Sequence, residues 1–237
     1  MPGCFQRRST SVLLTALFLA ALTGCKAMPA PNAGFILERP EAKKPPDLPF
    51  HSAWFKPDLD LNAYDKIMIA PVDTKHLMVS NVILEKGTGN RPSQITELAG
   101  YAQHAFRSAF RNDPTRHFQV VDKRGPRTLN LEIAITEMVA TRPGFNAVSY
   151  FFIFRPVQTA SVAMEGRIRD AKSGNVLVTF SDKENAKISP IHVNDFNRLG
   201  HAEAAFDEWA SQLVSVLNRK QGEIIKDPSR FNLNPLE

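Results

Sequence analysis

Cysteine is scarce in this chain of 237 residues: Cys4 and Cys25 are the only two, both near the start. A small scaffold stapled by disulfides is thereby excluded. Glycine and proline, at 12 and 17 residues, follow no collagen-like period, and no internal repeat is visible. No apolar run reaches the roughly 20 residues that cross a bilayer as a helix. The six histidines, at positions 51, 76, 104, 117, 192 and 201, lack the paired spacing of a metalloprotease helix, and no Gly-x-Ser-x-Gly elbow occurs. No motif of a nucleic-acid-binding family is present. What is there is 43% hydrophobic residues and 16 Phe in periodic runs. That is enough to bury one good core, so a chain disordered throughout is also excluded.

The first 25 residues point to a compartment. Arg7 and Arg8 precede the apolar stretch Val12 to Leu22, and Thr23-Gly24-Cys25 follows. A charged start, an apolar run too short to span a membrane and small residues at its end make a signal peptide over residues 1–24. Ser9-Thr10-Ser11 supply none of the apolar residues that usually follow a twin-arginine pair, which favours Sec export. Leu22-Thr23-Gly24-Cys25 resembles the lipobox of bacterial lipoproteins. The resemblance implies peptidase recognition at Leu22, Thr23 and Gly24, with diacylglyceryl and N-acyl lipid on Cys25. The competing reading is an ordinary cleaved signal with an incidental Cys25. Two or three acyl chains at about 0.8 kcal/mol per buried methylene anchor a protein stably. Cleavage before Cys25 discards Cys4 and leaves no thiol for a disulfide, a zinc site or a nucleophile. Lys26 stands where an Asp would retain an enteric lipoprotein in the inner membrane, which favours the outer membrane. Removing residues 1–24, which carry Arg7 and Arg8 and no acid, lowers the formal charge from +5 to +3. So mild an excess gives no reason to expect a nucleic-acid partner.

Residues 25–60 read as a tether rich in proline, able to reach on the order of 90 Å if nothing docks. Phe35-Ile36-Leu37 and Trp54-Phe55 are apolar enough that at least the second group is expected to pack on the domain. The domain itself spans 61–222, and 223–237 reads as a loose tail. Lys66 to Val72 is apolar on both faces, as a central strand is. Ile95, Leu98, Ala99, Ala102, Phe106, Ala109 and Phe110 recur at helical spacing across 93–111, with Ser93 as the expected cap. Phe118 to Asp122 reads as a short strand. Leu129, Leu131, Ile133 and Ile135 alternate with Asn130, Glu132, Ala134 and Thr136, as a half-buried strand requires. Val162, Met164, Gly166 and Ile168 alternate with Glu165, Arg167 and Arg169, and Asp170 to Gly174 turns the chain into 176–181. Ala202, Ala205, Phe206, Trp209, Leu213, Val216 and Leu217 form the stripe of a last helix over 201–220. The order β-α-β-β-β-β-α predicts a single α+β domain, with two amphipathic helices on one face of a largely antiparallel sheet.

Four ordered segments resemble bacterial lipoproteins carrying domain of unknown function 3313: Tyr64 to Val72, Gly125 to Leu129 with its strand, Ile168 to Gly174, and Ala205 to Ala210. The resemblance implies a lipid-anchored envelope protein and transfers no catalytic residue. The run Tyr150-Phe-Phe-Ile-Phe154 is more aromatic than the family leads one to expect.

Chemical motifs are weak. Asp58-Leu-Asp60-Leu-Asn62 begins like a calcium loop, but the sixth position is Ala63 instead of Gly and the twelfth is Ile69 instead of Glu. A solvated lead-in to a strand is the better reading. His201-Ala-Glu203 lacks the cysteine pair of a zinc deaminase, and Gly87-Thr-Gly89 lacks the lysine of a phosphate loop. Two contact surfaces remain as candidates. Arg107, Arg111, Arg124 and Arg127, with Arg116 and Lys123 nearby, could meet anionic headgroups or an acidic partner; the bland reading is a solvated face. Phe151, Phe152 and Phe154, within the aromatic stretch 145–157, could form an apolar contact patch; the bland reading is a buried crossover. The expectation is therefore a scaffold or binding protein without enzymatic activity or cofactor beyond its lipid. It is expected at the periplasmic face of the outer membrane, with a membrane contact, an envelope protein partner and room for self-association. The alternatives are a periplasmic enzyme whose site is assembled from distant residues, and a self-assembling envelope component.

Overall fold

A computed structural model describes residues 30, 32–37, 47–78, 92–139, 161–185, 199–220 and 222–227, all within one compact unit, Met28–Ser229. Six strands form one sheet: β1 (Ser52–Phe55), β2 (Lys66–Ile69), β3 (Gln119–Val121), β4 (Thr128–Val139), β5 (Ser161–Asp170) and β6 (Val176–Asn185). Their spatial order is β1-β6-β5-β4-β2-β3. The pairs β1–β6, β6–β5 and β5–β4 are antiparallel, whereas β2 runs parallel to both β4 and β3. Parallel neighbours need a long crossover, and α1 (Pro92–Arg111) lies in the one between β2 and β3. The second helix, α2 (Gly200–Asn218), follows the last strand.

The helical spacing seen in the sequence builds the core. Leu98, Ala102, Ala105, Phe106 and Phe110 of α1 are buried, as are Ala205, Phe206, Trp209, Leu213, Val216 and Leu217 of α2. They share one apolar cluster with Leu129, Leu131, Ile133 and Ile135 of β4, Val162, Met164 and Ile168 of β5, and Val178 and Phe180 of β6. The helices therefore cover one sheet face, in the α+β arrangement expected. Helix α1 begins at Pro92, a residue pre-set for the first helical position because it has no N–H to leave unpaired. Ser93, the cap expected from the sequence, accordingly falls inside the first turn instead of before it. At the other end, buried Asp113 receives the Thr115 N–H and the Asn218 side-chain amide, which ties the C-terminal ends of α1 and α2 together.

Strand β1 had not been read as a strand. Its four residues lie between Pro49 and Pro57 in a stretch whose composition suggests a tether, and backbone pairing with β6 overrides that composition. Leu48 and Phe50 join the core just before it, and the Phe50 ring lies 5.0 Å from that of Phe180. Part of the expected loose tail is also fixed: the Ile225 N–H bonds the Asp47 carbonyl at 3.0 Å, and Gln212 donates to Asp227. Residues 1–29, 38–46, 79–91, 140–160, 186–198 and 228–237 lie outside the described residues, as do Pro31 and Gln221.

Candidate functional site

Alternation along β4, β5 and β6 puts a second set of side chains on the face away from the helices. That face is polar but largely shielded from water. Asn130, Thr136, Glu137, Ser161, Glu165, Thr179 and Ser181 are all buried. A bulge between Ile135 and Glu137 shifts the β4–β5 register without breaking it, and so keeps Glu137 on this side. Buried charge is tolerated only when paired, and pairing is extensive. Lys183 reaches Glu137 at 2.6 Å, and the Ser161 hydroxyl donates to the same carboxylate at 2.6 Å. Arg167 meets Glu132 at 2.5 Å, with Arg169 at 3.4 Å from the same oxygen.

Glu165 lies at the centre of this face with 0% exposure. Its carboxylate accepts backbone N–H groups of Ala33, Phe35 and Ile36, each at 3.0 Å. The chain can present three N–H groups to one carboxylate because it turns sharply here. Gly34 takes φ +82°, and its N–H is received by the Asn32 side chain at 3.0 Å. That positive φ costs glycine nothing. Arg167, two residues along the same face, donates to the Phe35 carbonyl at 2.8 Å, and its guanidinium lies 4.3 Å over the Phe35 ring. The same ring makes a T-shaped contact with His76, its centroid 5.3 Å away. Phe35 and Ile36 are buried against Ala134. Residues 32–36 thus form a strap across the sheet, gripped through main chain and one aromatic ring.

The loop beneath the strap is itself fastened. Asp73 bridges to Ala134 in parallel fashion and accepts from His76 at 3.1 Å and from the Lys75 N–H at 2.7 Å. Burial alone would raise the Asp73 pKa, but the His76 contact and the Lys75 N–H together hold it below the usual carboxylate value. On the helix side, buried Asp182 receives the Trp209 indole N–H at 2.9 Å and pairs with His51.

The residues singled out from the sequence are placed as follows. Arg107 pairs with Asp122 at 2.5 Å, and the charges of Arg107 and Arg111 both act on Asp122. Hydrogen bonding and charge from Arg107, with that of Arg111, hold its carboxyl below the usual value. Arg127 instead pairs with Asp65 at 3.1 Å. The four arginines are therefore not gathered round one partner: Arg107 and Arg127 serve different acids, whereas Arg111 and Arg124 are exposed. Leu22, Thr23, Gly24, Cys25, Phe151, Phe152 and Phe154 lie outside the described residues. Asp60, the second oxygen of the calcium-like stretch, accepts the Asn62 N–H and caps a short 3-10 turn, as expected of a strand lead-in. Among the described residues no group of three or more His, Cys, Asp or Glu could hold a metal ion, and no helix is long and apolar enough to cross a membrane. Glu165 and Arg167 were read from the sequence only as the outward alternation of a strand. The signal that could have marked them is a strand with three charges on one face, opposite a neighbour carrying Asn130 and Glu132 on its own.

An open six-stranded mixed sheet with two helices on one face defines an α+β single-domain protein. Residues 41–213 match the family described as "Protein of unknown function (DUF3313)". The chain belongs to that family. No curated protein matches it. Among solved structures it is similar to a PelC dodecamer from Paraburkholderia phytofirmans, at 11% identity and TM-score 0.39, over 71% of this chain and 96% of that one. It is also similar to protein XCC0632 from Xanthomonas campestris, at 12% identity and TM-score 0.43, over 67% and 86%. A third likeness is to lipoprotein GNA1162 from Neisseria meningitidis, at 12% identity and TM-score 0.30, over 60% and 96%.

Proposed function

We propose that the protein is a lipid-anchored lipoprotein of the bacterial envelope, held by Cys25 at the periplasmic face of the outer membrane. There it acts as an accessory or scaffold by binding an envelope partner, without catalysis. The observation that carries this reading is the Leu22-Thr23-Gly24-Cys25 pattern behind a charged start and a short apolar run. The side-chain chemistry of the sheet supports the non-enzymatic part. Glu165 is engaged by backbone, Glu132 by two arginines, Glu137 by Lys183 and Ser161, and Asp182 by Trp209 and His51. Groups committed in this way are structural ties, whereas a reaction centre needs acids and bases aimed at a cleft.

The test is mass spectrometry of the mature N-terminal peptide together with crosslinking in cells. The reading expects an acylated Cys25 at the mature N-terminus, membrane fractionation of the wild type, release of Cys25→Ala into the soluble periplasm, and a captured partner that disappears in Cys25→Ala. An unmodified Cys25 on a soluble chain would overturn the anchor. Capture of copies of this chain alone would replace the accessory role with self-assembly.

A further inference from the structure

The tether read from the sequence runs from Cys25 to about residue 60, yet the structure fastens it within that stretch, first at the strap and again from Asp47 through β1. The Asp47 carboxylate meets Arg219 at 2.5 Å and its carbonyl receives the Ile225 N–H. Asn32 is seven residue steps beyond Cys25, so the strap allows the chain at most about 25 Å between Cys25 and the sheet. With the strap off, Asp47 is the next fastened point among the described residues. The 22 residue steps from Cys25 to Asp47 give a contour length of about 80 Å.

The strap is a short peptide held at a few points. Its hold comes from one carboxylate with three main-chain N–H donors, one guanidinium on a carbonyl, one ring in contact with both Arg167 and His76, and the burial of Phe35 and Ile36 against Ala134. None of these contacts belongs to the main core, whose residues lie on the opposite sheet face. The strap also sits on the face that the helices leave uncovered, so the point from which the chain leaves toward Cys25 lies on that side.

We propose that residues 32–36 are a latch. Closed on Glu165 and Arg167, it mounts the domain close to the membrane with the polar sheet face inward and the helix layer outward. Opened, it lets the same domain reach about three times as far. The mount rests on lipidation of Cys25, whereas the latch contact itself does not.

Two measurements separate these parts. In the chain carrying Cys25→Ala, the amides of Ala33, Phe35 and Ile36 should exchange at least a hundredfold more slowly than in an unfolded peptide, because each is bonded to a shielded carboxylate. Phe35→Pro, which removes one of those N–H groups and the ring while touching nothing in the main core, should cut the protection of Ala33 and Ile36 at least tenfold. Glu165→Gln should cut it in the same direction, with circular dichroism confirming that both variants fold. Amides that exchange freely in the wild type would overturn the latch. For the mount, lipidated protein carrying Ser211→Cys, an exposed position on α2, is labelled with a donor fluorophore. It is then placed on phosphatidylethanolamine–phosphatidylglycerol vesicles that contain a headgroup acceptor. Energy transfer should fall and its distribution broaden when Phe35→Pro is added. Unchanged transfer with protected wild-type amides would overturn the mount and leave the latch as a structural tie. Failure to bind vesicles would overturn the anchor and the mount together, with the exchange result still deciding the latch.

Discussion

Gly166 of β5 lies directly under the ring of Phe180 on β6: a Cβ built on the glycine falls inside the van der Waals envelope of that ring. The pair is in register, and Phe180 is in turn packed on Phe50. The absent side chain is thus what lets the segment before β1 pack onto the core. Gly166→Ala is expected to destabilise the fold by about 1–3 kcal/mol through overpacking, read as a lower denaturant midpoint with unchanged slope. Adding Phe180→Leu should return part of the loss. A single variant as stable as the wild type would contradict the close approach.

Asp182→Ala removes the acceptor of the buried Trp209 indole and the partner of the part-buried His51. A buried donor left without an acceptor costs about 1–3 kcal/mol, so a loss of roughly 3 kcal/mol is expected for the two together. Asp182→Asn, which keeps one acceptor oxygen, should lose less. Thermal unfolding followed by tryptophan emission makes the comparison.

Phenolate absorbance should show an unusual titration. Burial and the hydrogen bond to Asp170 push the Tyr64 pKa up to about 12, and the bond to Asp207 with burial does the same for Tyr101. Both donate to a carboxylate, at 3.0 and 2.7 Å, and ionisation would put two negative charges together. Two of the three tyrosines should therefore stay neutral well beyond pH 10 in the folded chain and titrate normally in urea. A raised pKa means that the stabilisation is complete below the unfolded value and is lost as pH rises toward 12.

Acid should act on the opposite side. Asp73 and Asp113 are lowered although burial opposes it, by hydrogen bonds from His76 and Lys75 and from Thr115 and Asn218. Asp170 is lowered chiefly by the Ser173 N–H. Groups with depressed values stabilise the fold above the unfolded carboxylate value and lose that contribution as pH falls below it. Asp113→Asn, which keeps one acceptor oxygen but cannot ionise, should flatten the acid limb of the stability curve relative to the wild type. An unchanged acid limb would refute this.

The apolar periodicities carried most of the fold: Leu129 to Ile135 on β4 and the stripes of both helices were legible because a buried face repeats with the period of its element. Strand β1 was not legible, because four residues bounded by prolines have no periodicity to read and owe their conformation to a partner strand 123 to 129 residues away. The site was less legible still. Glu165 and Arg167 occupy alternate positions that ordinarily face water, and what shields them is a five-residue segment 130 residues earlier whose main chain, rather than its side chains, makes the decisive bonds. Main-chain donors are the same in every sequence, so only the apolar run Phe35-Ile36-Leu37 hinted at a contact.

Glu165 is translated 130 residues after Phe35, which sets an order of assembly. Contacts so distant in sequence close late, and β5 must already be paired in the sheet before its carboxylate can collect the strap. Until β5 has emerged and paired, the strap therefore stays unclaimed by the domain. On the lipid-anchor reading, a peptidase and acyltransferases would meet Cys25 before the strap, seven positions further along the chain, is fastened to Glu165.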